Sequence, residues 1–142
     1  MQNSPSALLI SIKPNMVERI LNGTKKYEYR KSFPQIQVKH LVIYSTYPVQ
    51  KAVAVVEVLA MRENTVWAIW EGTKAEAGVS EEEYRRYYSG RAKAYAYKLG
   101  EAKLILPPAA LNAVAPNLPP PQSFTVLSDE LFQAFDRLTD GR

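Results

Sequence analysis

The sequence predicts a mixed α+β fold, a small and mostly antiparallel β-barrel of five or six strands. Short helices are inserted between the strands, and a further helix stands at the C-terminal end. Three observations predict it. Apolar, β-rich runs recur along the chain, whereas helical patterns number four and are all short. The strands do not alternate regularly with long helices, as they would in a doubly wound sheet. At 142 residues, 46% of them hydrophobic, the chain can bury the core of one domain.

We expect a single domain over residues 1–142. Its core would span about residues 7–106, followed by a proline-rich connector over residues 107–123. Six of the ten prolines fall in that connector, and proline favours extended chain over helix. A C-terminal strand and helix over residues 124–142 would complete the chain.

The first half of the chain predicts strands at residues 7–12, 25–31, 38–45 and 51–62. The last of these is almost continuously apolar, which favours burial on both faces. Pro14 suits the first turn of a short helix, and Gly23 suits its end because glycine adopts the left-handed cap conformation.

The second half of the chain predicts three short helices and three further strands. Asn64 caps a helix that carries Trp67 and Trp70, which we expect to pack in the core. Ser80 and Glu83 form a capping box for a helix that ends near Tyr88. Strands follow at residues 91–98, 103–106 and 124–127. Ser128 then caps the last helix, whose inner stripe is Leu131, Phe132, Phe135 and Leu138.

The composition excludes several kinds of site. There is no cysteine, and His40 is the single histidine, so thiolate or histidine metal clusters and a Ser-His-Asp triad are not expected. We therefore expect no metal and no cofactor, and a structural or surface role for His40. No apolar run approaches the ~20 residues of a membrane span, and the first six residues lack a secretory pattern. A cytoplasmic location is the expectation.

The positive charge is concentrated in two segments. The chain carries a formal net charge of +4 and a pI of about 9.3. Residues 13–39 contain seven basic and two acidic residues, and residues 85–103 contain six and one, so each segment is +5 while the remainder is −6. This uneven distribution of charge favours a polyanionic partner, although an ordinary solvated surface can have the same composition.

The stretch from Gly23 to Lys31 is the strongest candidate for a site. Lys25 offers a point charge, Arg30 offers a planar fork, and the Glu28 carboxylate can orient Arg30 or accept from an amino group. The alternative is an exposed strand with a weak charge pair. Strict alternation would put Lys25 and Glu28 on opposite faces. We therefore predict that Lys25 lies in the turn after Gly23, so that both side chains reach one cleft.

A second candidate is the segment from Tyr84 to Lys98, which interleaves five tyrosines with basic residues. Such interleaving suits single-stranded nucleic acid, because bases stack on the rings while cations follow the phosphates. Arg91, Tyr95 and Lys98 would contact the ligand. Tyr44, Ser45 and Thr46 end a strand and would donate hydrogen bonds from the cleft wall.

Several of these motifs together resemble the ASCH domain of the PUA-like superfamily, over roughly residues 8–106. The resemblance rests on Ser11-Ile12-Lys13-Pro14, on Gly23-x-Lys25-x-x-Glu28-x-Arg30, on Val42-Ile43-Tyr44-Ser45-Thr46-x-Pro48 with the run to Glu57, and on Tyr88-x-Gly90 before Tyr95-Ala96-Tyr97-Lys98.

The resemblance implies a PUA-like barrel with a cleft at the Lys25 motif and an RNA-binding function. Some small members are amidohydrolases that deacetylate N4-acetylcytidine, using a lysine, a threonine and a glutamate, and others have been proposed as ribonucleases. Lys25 matches the lysine. Glu28 occupies the threonine position, and Glu76 is a loose match for the glutamate.

The sequence therefore predicts a protein that binds single-stranded RNA or a nucleotide-like small molecule. Lys13 and Lys25 would hold ligand oxygens, Arg30 would make a forked contact oriented by Glu28, and Lys98 would add charge at the mouth. The alternatives are a hydrolase acting on a modified nucleoside, with Lys25 and Glu28 as catalytic groups, a ribonuclease, and a protein-interaction module that uses the connector and the last helix.

Overall fold

The computed structural model describes residues 5–140. This range contains six strands, five α-helices and a 3-10 helix at Lys74–Glu76. No helix within it is long and apolar enough to cross a membrane. In chain order the elements are β1 (Ala7–Ile12), α1 (Pro14–Leu21), β2 (Tyr27–Arg30), β3 (His40–Ser45), β4 (Lys51–Thr65), α2 (Val66–Thr73), α3 (Glu81–Tyr87), β5 (Lys93–Ala109), α4 (Leu111–Val114), β6 (Phe124–Leu127) and α5 (Asp129–Asp136).

The six strands form one sheet in the order β2-β5-β4-β3-β1-β6. Only the β1–β3 pair is parallel, and the other four pairs are antiparallel. The mixed, mostly antiparallel prediction is thus confirmed. The predicted barrel is not confirmed, because β2 and β6 are the sheet's edges and no ladder in the described chain joins them. The PUA-like character of the fold stays a prediction.

One side chain nevertheless connects the two sides of the sheet. Arg30, at the end of β2, donates from Nη2 to the carbonyl oxygen of Ser11 on β1 at 2.7 Å. Its Nη1 donates to Ser123 Oγ, just before β6, at 3.2 Å. We call this contact between Arg30, Ser11 and Ser123 the Arg30 seam. It links the edge strand β2 to β1 and to the residue before β6.

β1 is apolar except for Ser11, and it is buried on both faces. On one face Leu8 and Ile10 join a cluster with α1, which presents Val17 and Ile20. On the other face Leu9 joins a second cluster that contains Val42, Val55 and Phe135. A third cluster packs β2 against α2 and α3 through aromatic rings, with Tyr29, Trp70, Tyr84 and Tyr88 among its members.

The region predicted as two strands and a connector is largely one strand. β5 continues through Gly100 as far as Ala109, because β4 pairs with it along almost its whole length. The pairing of β4 with β5 shifts register on both sides of Val58 and then continues. A Cβ at Gly100 would lie 2.7 Å from Glu57 Oε1. Glycine therefore marks a close approach between strands here rather than a break. The connector also contains α4, a helix that the prolines argued against.

The β4–α2 junction differs from its prediction by a few residues. β4 runs past residue 62 to Thr65, and Thr65 rather than Asn64 caps α2, its Oγ1 accepting from the Ala68 N–H at 3.1 Å. Trp70 packs against the ring of Tyr84, as expected. Trp67 is 69% exposed, so the expectation that it packs in the core is wrong.

The C-terminal segment is integrated into the sheet. β6 pairs antiparallel with β1, and Phe135 of α5 is completely buried in the second cluster. Leu131 and Phe132 pack against the same cluster, with the Phe132 ring stacked on His40 at 4.7 Å. Leu138 follows the end of the helix and is 40% exposed. Most of the predicted inner stripe is thus occupied by the protein's own core, which removes the main support for an interaction module.

Candidate functional site

A half-open pocket of about 260 Å³ lies between the end of β1, the edge strand β2 and α3. The turn after α1 supplies its deepest cation, and the loop before α3 closes one side. Its lining is Ser11, Ile12, Lys13, Met16, Lys25, Glu28, Tyr29, Arg30, Val79, Glu83, Tyr84 and Tyr87.

The turn after α1 places Lys25 in this pocket. Gly23 adopts a left-handed conformation with φ of 87°, which ends the helix. The Lys25 N–H then donates to the carbonyl oxygen of Arg19 at 2.9 Å. β2 begins two residues later, at Tyr27. The predicted position of Lys25, in the turn rather than in the strand, is confirmed, and it is what allows Lys25 and Glu28 to approach each other.

Gly78 holds the backbone of Lys25 from the opposite side. It has φ of +68°, and a Cβ built on it would collide with Cα and Cβ of Lys25. Only a residue without a side chain allows the loop before α3 to pack this closely. The conformation of Lys25 is therefore fixed by its own turn and by a loop more than fifty residues away.

The Lys25 side chain is buried and makes few polar contacts. Lys25 is only 4% exposed. Its Nζ lies 3.8 Å from Glu28 Oε1 and 4.8 Å from the centre of the Tyr29 ring, and it makes no hydrogen bond with any residue of the described chain. Burial lowers the pKa of Lys25 below its usual value of 10.5, although the nearby Glu28 carboxylate opposes this. The N–H groups of Nζ thus remain available to a ligand.

Glu28 is held by Arg30 rather than by Lys25. Arg30 Nε donates to Glu28 Oε2 at 2.9 Å, and Arg30 Nη2 lies at the same distance from that oxygen. Because Nη1 and Nη2 also serve the Arg30 seam, little of the guanidinium fork is left for a ligand. The forked ligand contact predicted for Arg30 stays a prediction, and its observed contacts are with Glu28 and the Arg30 seam.

A second carboxylate enters the pocket from α3. Glu83 accepts from the Ser80 N–H at 2.8 Å, which completes the predicted capping box. It also pairs with Arg19 of α1 at 3.2 Å. The pKa of Glu83 is lowered, first by the hydrogen bond from the Ser80 backbone and then by Arg19. This ion pair ties α1 to α3 across the side of the pocket where Lys25 lies.

Aromatic rings form the opposite wall and part of the rim. Tyr29 donates to or accepts from Thr73 Oγ1 at 2.8 Å, and its ring meets Tyr84 edge-on. Burial raises the pKa of Tyr29 to about 12 and also raises those of Tyr84 and Tyr87. Tyr87 is partly exposed at the mouth. These phenols are therefore neutral at physiological pH.

Three exposed cations lie at or near the mouth. Lys13 lines the pocket at the start of α1, and Lys31 places its Nζ 4.7 Å from the centre of the Tyr87 ring. Arg91 lies near enough to Tyr87 to oppose the rise in its pKa. All three are exposed, and none of them makes an ion pair with a carboxylate of residues 5–140. We call Lys13, Lys31 and Arg91 the rim cations.

The predicted wall residues of β3 lie elsewhere. Tyr44 is buried in the second cluster, on the opposite face of the sheet. Ser45 borders an apolar depression beside α1. Thr46 begins the following turn, where its N–H donates to the carbonyl oxygen of Ile12 at 3.0 Å. None of the three lines the pocket, because the parity and position of β3 direct them away from it.

The residues predicted on β5 are also outside the pocket. Tyr95 packs edge-on against Phe33 and borders a separate, shallow depression. Lys98 is paired with Tyr27 in the β2–β5 ladder, away from the mouth. Glu76 is exposed and contributes only its carbonyl oxygen, which accepts from the Lys26 N–H. Of the predicted site residues, Lys13, Lys25, Glu28 and Arg30 line the pocket, and Arg91 lies near its mouth.

Sequence reasoning missed Arg19, Gly78, Glu83, Tyr84 and Tyr87. Glu83 is predicted only as a capping residue, and Tyr84 and Tyr87 only as members of the tyrosine-rich segment that ends at Lys98. Their spacing of three and four along α3 does place them on one side of that helix, but nothing in the sequence indicates that this side meets Lys25. Within residues 5–140 no group of three or more His, Asp or Glu side chains is arranged to hold a metal ion.

Comparison with known proteins gives consistent matches. The model of the ASCH domain family matches residues 10–104. A protein named ASCH domain-containing ribonuclease, from Zymomonas mobilis, is 32% identical over 134 residues, which is 92% of this chain and 90% of that protein. The crystal structure of ASCH from Zymomonas mobilis superposes with a TM-score of 0.85 at 31% identity, covering 95% of this chain and 96% of that one.

A more distant structure shares the fold alone. The N-terminal domain of McrB from Staphylothermus marinus gives a TM-score of 0.51 at 8% identity, covering 96% of this chain. At that identity the likeness carries no information about ligand or activity.

Proposed function

Because this chain belongs to the ASCH domain family, we propose that it binds single-stranded RNA at the pocket around Lys25. The observation that carries the proposal is the Lys25 amine, which is buried at the end of an accessible pocket and makes no hydrogen bond within residues 5–140. Burying an amine without such bonds costs free energy, so a ligand that supplies acceptors is favoured.

The charges around the pocket support RNA over a neutral metabolite. Lys13, Lys31 and Arg91 are exposed at or near the mouth without carboxylate partners in the described chain, as expected where a phosphate backbone is held. Glu28 accepts from Arg30 and so is fixed as an acceptor beside Lys25. In this proposal Lys13 and Lys25 contact the RNA, and Arg30 is a positioning residue for Glu28.

Fluorescence anisotropy of a labelled single-stranded RNA tests the proposal. Lys25→Met should weaken binding by about tenfold or more, since a charge-assisted hydrogen bond contributes roughly 1.5–3 kcal/mol. The matched control is Lys26→Met, which removes the same charge from an exposed neighbour and should change the affinity only through weak, salt-screened attraction. Equal affinities for the two variants at two salt concentrations would refute the pocket as the RNA site.

Cleavage of the bound RNA is the second candidate function. It is favoured by the name of the 32% identical relative, a ribonuclease, and by the lowered pKa of Lys25 beside a carboxylate, a pair that can exchange a proton. Gel analysis of end-labelled RNA incubated with the protein tests it. Wild type should yield discrete products that a 2′-O-methyl strand does not give if the 2′-hydroxyl is the nucleophile. Intact RNA after prolonged incubation would leave binding as the function.

The amidohydrolase alternative has less support. Lys25 lines the pocket as that reaction requires, but Glu28 stands in place of the threonine, and the Glu76 side chain is exposed outside the pocket. Glu83 is the second carboxylate near Lys25, but it is engaged by Ser80 and Arg19.

A further inference from the structure

A second hollow lies beside the pocket, next to Arg30. It is wide and shallow, with a volume of about 560 Å³, and its lining includes Phe33, Gln35, Gln37, Met61 and Tyr95. Tyr95 is the partner of Arg30 in the β2–β5 ladder. Residues directly opposite each other in such a ladder share one face, with Cβ atoms about 4.5–5.5 Å apart. Because Arg30 also lines the pocket, the two hollows are neighbours, and we call the second one the Tyr95 depression.

The aromatic ring of the Tyr95 depression is held by neighbouring rings. Tyr95 packs edge-on against Phe33, with 5.2 Å between the ring centres. Phe33 in turn packs against Tyr97 at 4.9 Å, and Tyr97 is completely buried. Tyr95 itself remains partly exposed. A ring that its neighbours already order loses little conformational entropy when a ligand stacks on it.

The polar groups of the Tyr95 depression suit a neutral ligand. Gln35 and Gln37 are exposed on its border, and their side chains make no hydrogen bond with any residue of the described chain. Each amide offers both donors and an acceptor. The Glu63 carboxylate also lies on the border, where it pairs with Lys93 at 3.2 Å. Free amides beside a carboxylate favour a nucleobase edge, which has donors and acceptors, over a phosphate, which has acceptors only.

The rim cation Lys31 lies between the two hollows. Its Nζ is 4.7 Å from the centre of the Tyr87 ring, at the mouth of the pocket. The next residue, Ser32, lines the Tyr95 depression. Lys31 is exposed and has no carboxylate partner within residues 5–140. An RNA strand that continues from the pocket to the depression would therefore pass a free cation with its phosphate backbone.

We propose that the Tyr95 depression is a second contact site for single-stranded RNA. One unpaired base stacks on Tyr95 with its edge at Gln35 and Gln37, and the phosphate that leads to it lies on Lys31. This inference rests on the RNA binding proposed above and extends the interface beyond the pocket. Its consequence is that a strand long enough to reach both hollows binds more tightly than a shorter one. A base within a duplex must leave its stack before it binds there.

Anisotropy with two labelled strands of equal length tests the stacked base. One strand is ordinary RNA, and the other has the same ribose-phosphate backbone without bases. Tyr95→Leu should weaken binding of the ordinary strand by about fivefold or more, the loss expected when one base no longer stacks on an aromatic ring. Its affinity for the abasic strand should equal that of wild type. Tyr95→Phe keeps the ring and should bind both strands as wild type does. Equal losses for both strands in Tyr95→Leu would overturn the proposal.

Two further variants define the limits of the site. Trp67→Leu removes an aromatic side chain that is 69% exposed and lies outside the depression, so it should leave both affinities unchanged. A loss as large as that of Tyr95→Leu would indicate unspecific contact with aromatic rings and refute a defined site. Lys31→Met should reduce the slope of log K against log salt by about 0.7, the value for one phosphate contact on a single strand. An unchanged slope would refute the phosphate on Lys31.

The variants of Lys25 and Tyr95 separate this inference from the proposed function. Weaker RNA binding in Lys25→Met, with wild-type affinity in Tyr95→Leu, retains the pocket and refutes the depression. The opposite result, a loss in Tyr95→Leu that is confined to the ordinary strand while Lys25→Met and Lys26→Met bind equally, retains the depression and refutes the pocket. Thermal melts identify any loss of folding, and such a loss would lower the affinities for both strands alike.

Discussion

At the scale of single residues, Lys25 combines a predictable position with an unpredictable environment. The glycine at 23 and the parity of the tyrosine-rich strand predict that Lys25 lies in a turn, and it does. Its burial could not be predicted, because the groups that remove it from water include Gly78 and residues of α3, far away in sequence. Local patterns encode local geometry, whereas desolvation depends on contacts that no short motif specifies.

The lowered pKa of Lys25 predicts a pH dependence of stability. Between this lowered pKa and 10.5 the unfolded chain binds a proton at Lys25 that the folded chain has released. The free energy of unfolding therefore rises with pH in that window. Lys25→Met has no proton to bind in either state, so the wild-type value minus the variant value should increase with pH and level off above 10.5.

Urea titrations of both proteins between about pH 7 and 11, a range that spans the usual lysine and tyrosine pKa values, measure this difference. The raised pKa values of Tyr29 and Tyr84 act in the opposite direction, because the unfolded tyrosines ionise first. Both proteins contain these tyrosines, so the subtraction largely removes their contribution. A difference that stays constant with pH would contradict a lowered pKa for Lys25.

Gly78 gives a second prediction at this scale. In Gly78→Ala the new methyl group collides with Lys25 in addition to the strain of a positive φ. We expect a loss of about 2–4 kcal/mol in the free energy of unfolding, since overpacking and a left-handed backbone each cost roughly 1–3 kcal/mol. RNA affinity should fall as well.

Gly90→Ala is the control for that substitution. Gly90 also has a positive φ, of +78°, but a Cβ there has no atom within 4 Å. It isolates the backbone strain, about 1–2 kcal/mol, and should leave RNA affinity unchanged. Denaturant unfolding and anisotropy measure both effects, and equal losses in the two variants would argue against the contact between Gly78 and Lys25.

At the scale of elements, two of the three predicted side-chain caps were correct, whereas the lengths of the long strands were not predicted. The Ser80–Glu83 capping box and the Ser128 cap are both present. β5, by contrast, was divided at Gly100 and ended too early, before Pro107. A cap is specified by residues within one turn, whereas a strand continues for as long as a neighbour pairs with it, and β4 pairs as far as Ala109. Intrinsic propensity is overridden by that pairing.

The capping box of α3 predicts a combined effect on stability and binding. Ser80→Ala removes the acceptor of the Glu83 N–H and should cost about 1 kcal/mol, within a range of roughly 0.5–2. It also loosens the first turn that carries Glu83, so RNA binding should weaken measurably. Thr65→Ala removes the equivalent cap of α2 and should cost similar stability without affecting RNA binding. Thermal melts with parallel anisotropy compare the two variants. Equal RNA affinities would show that the cap of α3 does not contribute to the pocket.

At the scale of the whole molecule, the C-terminal segment is a structural part of the sheet. The sequence suggested an extension to a core that ends near residue 106, because the family resemblance ends there. In the structure β6 pairs with β1, and Phe135 is buried in the second cluster. The apolar stripe of the last helix was predictable from its period. The partner of that stripe was not, since the contact joins the two ends of the chain.

Phe135→Ala measures this integration. Removing a fully buried phenylalanine should lower the free energy of unfolding by about 3–5 kcal/mol, with a single cooperative transition in urea. Leu138→Ala, at a position that is 40% exposed, should cost less than about 1 kcal/mol. A small effect for Phe135→Ala, or a separate transition for the C-terminal segment, would show that the segment folds independently of the sheet.

The Arg30 seam has a consequence for how a ligand enters. The sheet's edge strand β2 is joined to β1 and to the start of β6 by side-chain hydrogen bonds from a single arginine. Separating the two sides breaks those bonds, each with a net contribution of about 0.5–1.5 kcal/mol, and leaves every backbone ladder intact. The pocket lies directly on this line. Entry of a ligand that displaces the Arg30 side chain therefore disturbs the Glu28 carboxylate and this contact together, because one guanidinium serves both.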